Sequence, residues 1–154
     1  GFAGPYFVTG QGLLVKKGSG ITSIEGMNGK TVCSATGSTP IQNIKDNYKQ
    51  IKTTEFDKYS LCVDALKTGS VDGVTTDEAI LIGYAAQDPD ALEVVGKPFS
   101  TEKYGIGLKK GDTALCTALD KTLTDGGSTW TKIYDGTLGK SGTKVEQPTV
   151  EPCS

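Results

Sequence analysis

The segment TVCSATGSTP, residues 31–40, runs from an apolar, β-branched stretch through a glycine to a proline and contains no charged side chain. It predicts a buried strand, a turn at Gly37 and a new helix, because glycine tolerates the left-handed conformation and Pro40 suits the first helical position. Either Ser38 or Thr39 is the expected N-cap. A strand followed at once by a helix is the basic step of an α/β fold, so this segment sets the expected architecture.

The turn also predicts a binding site for an anion. Free backbone N–H groups around Gly37 and the hydroxyls of Thr36, Ser38 and Thr39 are expected to point towards one place, where the helix dipole adds about half a positive charge. Uncharged donors suit a carboxylate that has to be bound and released. The alternative, left open here, is that Ser38 and Thr39 only cap their own helix.

Strands and helices alternate on both sides of this segment. Strands are predicted at residues 12–17, 31–36, 51–56, 92–96 and 104–108, and a turn followed by a strand at residues 69–77. Helices are predicted at residues 39–49, 57–68, 77–87, 113–123 and 128–138, with a short helix inside residues 18–30. This order predicts an α/β fold: a three-layer sandwich of a mostly parallel sheet with helices on both faces, followed by C-terminal helices.

In a second polar segment, VDGVTTDEAI at residues 71–80, a predicted strand ends in Thr75 and Thr76, and Asp77 follows at the start of a helix. An aspartate in this position is most often a plain N-cap. The carboxyl ends of parallel strands open on the same edge of a sheet, however, so Asp77 is expected to face the donor turn across one crevice. A donor turn opposite a lone carboxylate matches a zwitterion, with its α-carboxylate at the turn and its α-ammonium at Asp77.

The overall composition excludes several classes of function. The 154 residues include 18 acids and 16 bases, and the net charge of −2 is too balanced for a nucleic-acid surface. All the bases are lysines and the chain has no histidine, which excludes Ser-His or Cys-His catalysis within it and argues against a zinc site. We expect no enzyme activity, no cofactor, no metal and no nucleic-acid partner.

The four cysteines are spaced too widely for a CxxC motif, and two disulfides are favoured over four buried free thiols. Disulfides indicate a location outside the cytoplasm. Cys33 is expected in the strand beside the helix that carries Cys62, whereas Cys116 lies in the penultimate helix and Cys153 ends a tail with little else to order it. Among the three possible connectivities we therefore predict Cys33–Cys62 and Cys116–Cys153.

Two further patterns favour structural interpretations. YDGTLGKSGT, residues 134–143, lacks the first glycine of a P-loop because Tyr134 stands in its place. Trp130, Ile133 and Tyr134 have the spacing of a helix that buries one face, so we expect them to pack in a core and not to stack on a sugar.

Four stretches together resemble the polar-amino-acid solute-binding proteins of ABC importers, in that family's order. They are FAGPYFVTGQGLLVKKGSGI (residues 2–21), MNGKTVCSATGST (27–39), ALKTGSVDGVTTDEAIL (65–81) and KYGIGLKKGD (103–112). The resemblance covers most of residues 2–135. Within the family, the sequence is most similar to actinobacterial glutamate-binding proteins. It implies the type 2 periplasmic-binding-protein fold, in which two α/β lobes joined by two hinge strands close around one amino acid.

The resemblance also implies roles for individual residues. Ser38 and Thr39 fall where the second lobe of the family holds the ligand α-carboxylate, and Asp77 falls on the aspartate that takes the ammonium. From the local sequence pattern and the resemblance together, the expected ligand-binding residues are Thr36, Gly37, Ser38, Thr39, Thr76 and Asp77. The expected hinge residues are Gly10, Gly12, Tyr104 and Gly105.

Two departures from the family pattern matter. The family begins well before FAGPY, with most of the first lobe and an arginine that clamps the α-carboxylate, and Ala35 stands where some relatives carry a lysine. The chain is therefore expected to be the second lobe and C-terminal segment of a longer protein. Its expected segments are 1–17, a first hinge-strand region; 18–103, the ligand-binding α/β lobe; 104–135, the return hinge strand and C-terminal helices; and 136–154, a disulfide-tethered tail.

The resemblance implies that the protein binds an amino acid outside the cytoplasm and delivers it to the permease subunits of an ABC importer. Glutamate is the amino acid expected. A signal peptide and a lipid anchor are expected upstream, and the isolated chain is expected to expose an apolar patch or to form a homodimer through it. Two alternatives stay open: the ligand-binding module of an extracellular sensor or receptor, and a dehydratase-type enzyme on the same fold. The enzyme would need a proton-transfer group from carboxylates, Cys, Lys or Tyr.

Overall fold

The computed structural model describes residues 1–153, which form seven β-strands and five α-helices. The strands are β1 (Phe2–Thr9), β2 (Gln11–Lys16), β3 (Thr31–Ala35), β4 (Lys52–Phe56), β5 (Gly73–Asp77), β6 (Leu92–Val95) and β7 (Glu102–Gly107). The helices are α1 (Thr39–Asn47), α2 (Tyr59–Thr68), α3 (Glu78–Gln87), α4 (Thr113–Asp125) and α5 (Gly127–Gly136), with short 3-10 helices at Ile24–Met27 and Leu138–Ser141. The elements from β2 to α5 are those that the sequence pattern predicts.

The described chain forms two compact units. The larger unit contains residues 10–100, and the smaller unit combines residues 1–9 with residues 101–153. The four segments predicted from the sequence do not follow these limits, since residues 10–17 lie in the larger unit, and the hinge function of those segments stays a prediction.

The larger unit is built on a five-stranded sheet with the order β4-β3-β5-β2-β6. β3 pairs in parallel with β4 and β5, whereas β2 pairs antiparallel with β5 and β6. Four strands therefore point in one direction and β2 opposes them. The predicted α/β class is confirmed, and the sheet is mixed because β2 precedes the first strand-helix-strand crossover and does not follow one.

The two faces of this sheet carry separate hydrophobic clusters, because successive side chains of a strand point to opposite sides. On one face Leu14 and Cys33 pack with residues of α2 and α3, including Leu66 and Leu81. On the other face a second cluster contains Leu13, Val15, Ile24, Met27, Val32 and Ile44. The helices thus lie on both faces, as predicted, and neighbouring residues of one strand belong to different halves of the core.

The disulfide between Cys33 and Cys62 crosses the first of these clusters and joins β3 to α2. Both residues are fully buried. It is one of the two predicted pairings.

The smaller unit contains a two-stranded antiparallel sheet of β1 and β7, with α4 and α5. β1 is absent from the predicted strands because Gly4 and Pro5 interrupt its pattern, and its register with β7 shifts between Ala3 and Phe7. The second predicted disulfide, Cys116–Cys153, holds the end of the tail to α4.

The aromatic residues of α5 behave only in part as expected. Tyr134 is buried and its ring stacks on that of Trp130, with centroids 5.4 Å apart, and Phe7 of β1 stacks on both. Ile133 instead keeps 62% of its surface exposed, so the prediction that it packs in a core is wrong. Phe7 covers the side of α5 that carries the two aromatic rings, and Ile133 lies outside that contact.

The tail after α5 has little regular structure, but several hydrogen bonds hold it. The Tyr134 hydroxyl donates to the carbonyl of Thr143 at 2.8 Å, Gln147 Nε2 to that of Leu123 at 2.7 Å, and the Glu151 N–H to that of Gly4 at 2.8 Å. Across residues 1–153, every helix is too short or too polar to cross a bilayer.

Candidate ligand-binding site

The turn after β3 has the predicted shape. Gly37 adopts a φ of 69°, in the left-handed region that favours glycine, and an added Cβ would meet no atom within 4 Å. Ser38 is the N-cap of α1, and Pro40 lies in the first helical turn. Thr36, Gly37 and Thr39 are exposed and Ser38 is half-buried, so the candidate donors are accessible from solvent.

The backbone of this turn offers fewer free donors than expected. The Thr36 N–H donates to the Phe56 carbonyl at 2.9 Å, and the Ser38 N–H donates to the Ala35 carbonyl at 3.1 Å. The expectation that the amides of the turn are free is therefore wrong for these two residues, because the turn closes on its own strand and on β4. The exposed hydroxyls of Thr36 and Thr39 are the donors with the best access.

A carboxylate of the protein itself lies beside the turn. Glu55 of β4 forms an ion pair with Lys45 of α1. This hydrogen bond to Lys45, assisted by the backbone of Gly37, holds the pKa of Glu55 below its ordinary value. The negative charge beside the turn is therefore stabilised mainly by Lys45, with a smaller contribution from the backbone of Gly37.

Ser38 fulfils the capping role that the sequence analysis left open. Its Oγ accepts a long hydrogen bond of 3.5 Å from the Ile41 N–H. The same oxygen lies 3.3 Å from the Oγ of Ser34, and either hydroxyl can donate. Capping and ligand contact are compatible for this residue, since a hydroxyl has two lone pairs and one proton.

Asp77 lies at the N-cap position of α3, but its side chain makes no capping hydrogen bond to that helix. It is half-buried, whereas the preceding Thr76 keeps only 2% of its surface exposed. The amide of Glu78, the first residue of α3, donates to the Gly10 carbonyl at 2.7 Å. The contact of Asp77 with a ligand stays a prediction.

The structure places the turn and Asp77 at the same edge of the sheet. β3 and β5 are parallel neighbours, with Val32 opposite Gly73 and Cys33 opposite Val74. The turn begins where β3 ends, and Asp77 is the last residue of β5. The two predicted halves of the site thus follow adjacent strands at their carboxyl ends, where ligands bind in open α/β sheets.

A buried polar network below this edge was missed by the sequence analysis. Gln11, 3% exposed, donates from Nε2 to the Thr75 hydroxyl at 2.9 Å and to the Pro40 carbonyl at 3.0 Å, and its Oε1 accepts from Asn43 at 2.7 Å. The Thr75 hydroxyl in turn donates to the Gly12 carbonyl at 2.7 Å. Two features of the sequence could have indicated buried polar groups here. One is Gln11 between two glycines, and the other is Ser34 inside an apolar strand.

The two predicted hinge glycines of the larger unit lie in tight surroundings. A Cβ on Gly10 would come within 2.2 Å of the Ser100 carbonyl oxygen, and one on Gly12 would lie 3.3 Å from the Glu78 Cβ. Burial raises the pKa of the neighbouring Glu78 carboxyl above its ordinary value. The approach at position 10 explains why glycine is needed there, while the hinge role of both residues stays a prediction.

The other two predicted hinge residues lie on β7 in the smaller unit. Tyr104 is opposite Phe7 of β1, and its ring packs against those of Tyr6 and Phe7. A Cβ on Gly105 would lie 3.0 Å from the Ala3 carbonyl oxygen.

No family model matches the chain, but individual relatives do. The chain is 42% identical over 159 residues to the glutamate-binding protein GluB of Corynebacterium glutamicum, covering 96% of this chain and 53% of that protein. It is 43% identical over 123 residues to the ABC transporter glutamine-binding protein GlnH of Bacillus subtilis, covering 79% of this chain and 45% of that protein. The chain spans about half the length of the curated relatives it matches.

Among solved structures, the chain is similar to the GluR0 ligand-binding core from Nostoc punctiforme in complex with L-glutamate. The TM-score is 0.74 at 30% sequence identity, over 88% of this chain and 64% of that one. The three relatives are described as binding proteins or a ligand-binding core and not as enzymes, which agrees with the expectation of no enzyme activity.

Proposed function

Because the chain is homologous to the amino-acid solute-binding proteins of ABC importers over about half of their length, we propose that it is the second-lobe part of an extracytoplasmic glutamate-binding protein. In this role the complete protein delivers the amino acid to the permease subunits of an ABC importer. The choice of glutamate rests on the similarity to GluB and to the glutamate-bound GluR0 core.

The observation that carries the proposal is the pairing of β3 with β5, which brings the donor turn (residues 36–39) and Asp77 to the same edge of the sheet. The ligand α-carboxylate is proposed to accept hydrogen bonds from Thr36, Ser38 and Thr39, and its α-ammonium to donate to Asp77. Each charge-assisted contact of this kind is worth about 1.5–3 kcal/mol. Gly37 allows the backbone conformation of the turn. Thr76, the buried residue before Asp77 on β5, holds Asp77 at the edge of the sheet.

The test is a calorimetric titration of the complete two-lobed protein with glutamate, glutamine, aspartate and arginine. We expect saturable binding of one acidic or amide amino acid per protein, with glutamate the tightest. Binding of none of the four would contradict the proposed function, whereas tighter binding of glutamine would keep the site and change the ligand.

The cellular setting is a further part of the proposal. Two disulfides favour a location outside the cytoplasm, and we propose a lipid anchor at the cell surface through an upstream segment. Metabolic labelling of the native protein with a radioactive fatty acid tests the anchor. Glutamate uptake by cells with and without the gene distinguishes an importer component from a sensor, since a sensor would leave uptake unchanged.

We also propose that the isolated chain can associate with a second copy. Phe2, Tyr6, Leu115 and Ile133 of the smaller unit are exposed apolar side chains, and such residues favour association when no partner covers them. Sedimentation equilibrium of the isolated chain tests this. A monomer at all concentrations would contradict the homodimer and leave the ligand proposal standing.

A further inference from the structure

The Cys116–Cys153 disulfide lies against a buried carboxylate. Asp120, one helical turn after Cys116 on α4, keeps 9% of its surface exposed. Its Oδ1 accepts a hydrogen bond from the Gly4 N–H at 2.7 Å. Its Oδ2 lies 3.1 Å from the Cys153 Sγ and 3.7 Å from the Cys116 Sγ.

The sulfur atoms cannot satisfy this oxygen while they are bonded to each other. A disulfide sulfur carries no proton, so it donates no hydrogen bond to Oδ2. Within residues 1–153, the carboxylate of Asp120 forms no ion pair, and no N–H or O–H group donates to its Oδ2. Buried polar atoms normally have a hydrogen-bond donor, an ordered water molecule or a cation as a partner, and the two sulfurs beside Oδ2 could provide one only as thiols or by binding a metal ion together with it.

We propose that reduction of the Cys116–Cys153 disulfide converts Cys116, Asp120 and Cys153 into a zinc-binding site of two thiolates and one carboxylate. A phosphine reductant can open it: the S–S bond breaks, the phosphine takes the oxygen of one water molecule, and the two protons of that water go to the two sulfurs. Zn²⁺ then binds both sulfurs as thiolates and displaces the two protons into solvent.

The positions of the ligand atoms fit this metal. All three lie within 4.8 Å of one another. A tetrahedral zinc ion with Zn–S bonds of about 2.3 Å and a Zn–O bond of about 2.1 Å separates its ligands by roughly 3.5–3.8 Å. The two distances from Asp120 Oδ2 to sulfur already lie close to that range, so mainly the two sulfurs have to move apart.

The surroundings of the three ligands allow this movement and support the carboxylate. Cys116 and Asp120 are four residues apart and share one face of α4, while Cys153 lies in the tail outside regular secondary structure. The Gly4 N–H fixes the orientation of the carboxylate, as an outer-shell donor does in established zinc sites. The fourth position is left to water or to a small ligand.

The site differs from the sequence-based expectation of no metal, which rested on the absence of histidine. Cys33 and Cys62 provide an internal comparison. They are fully buried, and within residues 1–153 they belong to no cluster of metal-ligating side chains. Zinc binding is therefore expected to require reduction of the Cys116–Cys153 disulfide, and reduction of Cys33–Cys62 is not expected to create a site.

The experiment titrates Zn²⁺ into the full 154-residue chain, oxidised and after phosphine reduction, by calorimetry. We expect one zinc per reduced chain and none per oxidised chain. Alkylation of the reduced chain followed by peptide mass spectrometry should show that zinc protects Cys116 and Cys153. Absence of zinc binding to the reduced chain, or protection of Cys33 and Cys62 in place of the other pair, would overturn the proposal.

Variants separate the site from other effects of reduction. Asp120→Asn keeps an acceptor for Gly4 but loses the charge, and because even an outer-shell partner is worth about 10–100-fold in affinity, we expect zinc binding to weaken at least about tenfold. The double variant Cys33→Ala/Cys62→Ala should bind zinc as the parent does. If the reduced parent unfolds, circular dichroism should show that one equivalent of zinc restores the helices, and failure to restore them would count against the site.

Discussion

The hydroxyl of Ser34 donates a 2.7 Å hydrogen bond to the backbone carbonyl of Thr75, and thereby ties β3 to β5 just before both strands reach the candidate site. Ser34 is fully buried, and its oxygen also lies 3.3 Å from that of Ser38. One serine thus links the helix cap of the donor turn to the strand that ends in Asp77.

We therefore expect Ser34→Ala to destabilise the larger unit. Removal of a buried donor leaves the Thr75 carbonyl with one partner fewer and costs about 1–3 kcal/mol. The measurement is urea unfolding, with a lower midpoint at an unchanged slope. Ser60→Ala, at an exposed position of α2, is the control and should change stability by less than about 0.5 kcal/mol. Equal effects of the two changes would show that the Ser34 contact contributes nothing.

Asp77→Asn should separate ligand binding from helix capping. In the complete protein we expect amino-acid affinity to fall by about 1.5–3 kcal/mol, or roughly 10–150-fold, because the ammonium loses its charged partner. The stability of the fold should stay within about 0.5 kcal/mol, since asparagine keeps an oxygen that can cap the helix about as well as aspartate does.

The matched control is Asp112→Asn at the N-cap of α4, where the aspartate does accept a hydrogen bond, from the Leu115 N–H at 3.0 Å. Asparagine caps about as well as aspartate, so stability should change little and affinity not at all. Nearly normal ligand binding by the Asp77→Asn protein would remove Asp77 from the site.

Two glycine-to-alanine changes should have opposite signs. Gly10→Ala forces a Cβ to within 2.2 Å of the Ser100 carbonyl oxygen, and the overpacking should cost about 1–3 kcal/mol or more. Gly83→Ala lies inside α3 with no atom within 4 Å of the new Cβ and should stabilise by about 0.5–1 kcal/mol. Thermal unfolding of both variants checks the pair, and tolerance of alanine at position 10 would refute the close approach.

Glu55 and Glu78 should contribute to the pH dependence of stability with opposite signs. The pKa of Glu55 is lowered by its hydrogen bond to Lys45, so its contribution is present above its unfolded pKa and is lost as pH falls through the folded value. The pKa of Glu78 is raised by burial, so the folded state binds its proton more tightly and stability falls as pH rises through that window.

Urea unfolding between acidic and neutral pH measures both effects. Glu55→Gln should flatten the loss of stability on the acid side, and Glu78→Gln should raise stability at neutral pH. Identical pH profiles for the two variants would contradict the assigned causes, because one carboxylate is stabilised in its charged form and the other is not.

The isolated 154-residue chain should bind glutamate weakly or not at all. One lobe cannot enclose the ligand, and an enclosed ligand gains strength in every polar contact when water is excluded. Each lost 1.4 kcal/mol is a factor of ten in Kd. Chemical shifts of Ser38, Thr39 and Asp77 during a glutamate titration decide this, and saturation at micromolar concentrations would show that one lobe suffices.

The sequence by itself determined the local elements and several of their details. Alternating apolar periods placed the strands and helices from β2 to α5, because each period needs one face buried. Gly37 and Pro40 fixed the turn and the start of α1 through backbone sterics that act within a few residues. The positions of three cysteines in those elements, and of Cys153 in the tail, were sufficient to predict both disulfides.

Only the tertiary structure decided which hydrogen-bond partners the buried polar groups have. Gln11 and Thr75 lie 64 residues apart and meet because β2 enters the sheet antiparallel to β5, a pairing that no local pattern encodes. The amide of Thr36 is occupied by the Phe56 carbonyl of β4, and Asp120 meets a sulfur 33 residues away. Hydrogen-bond partners of buried groups depend on strand order and register, and these are set by long-range packing of whole elements.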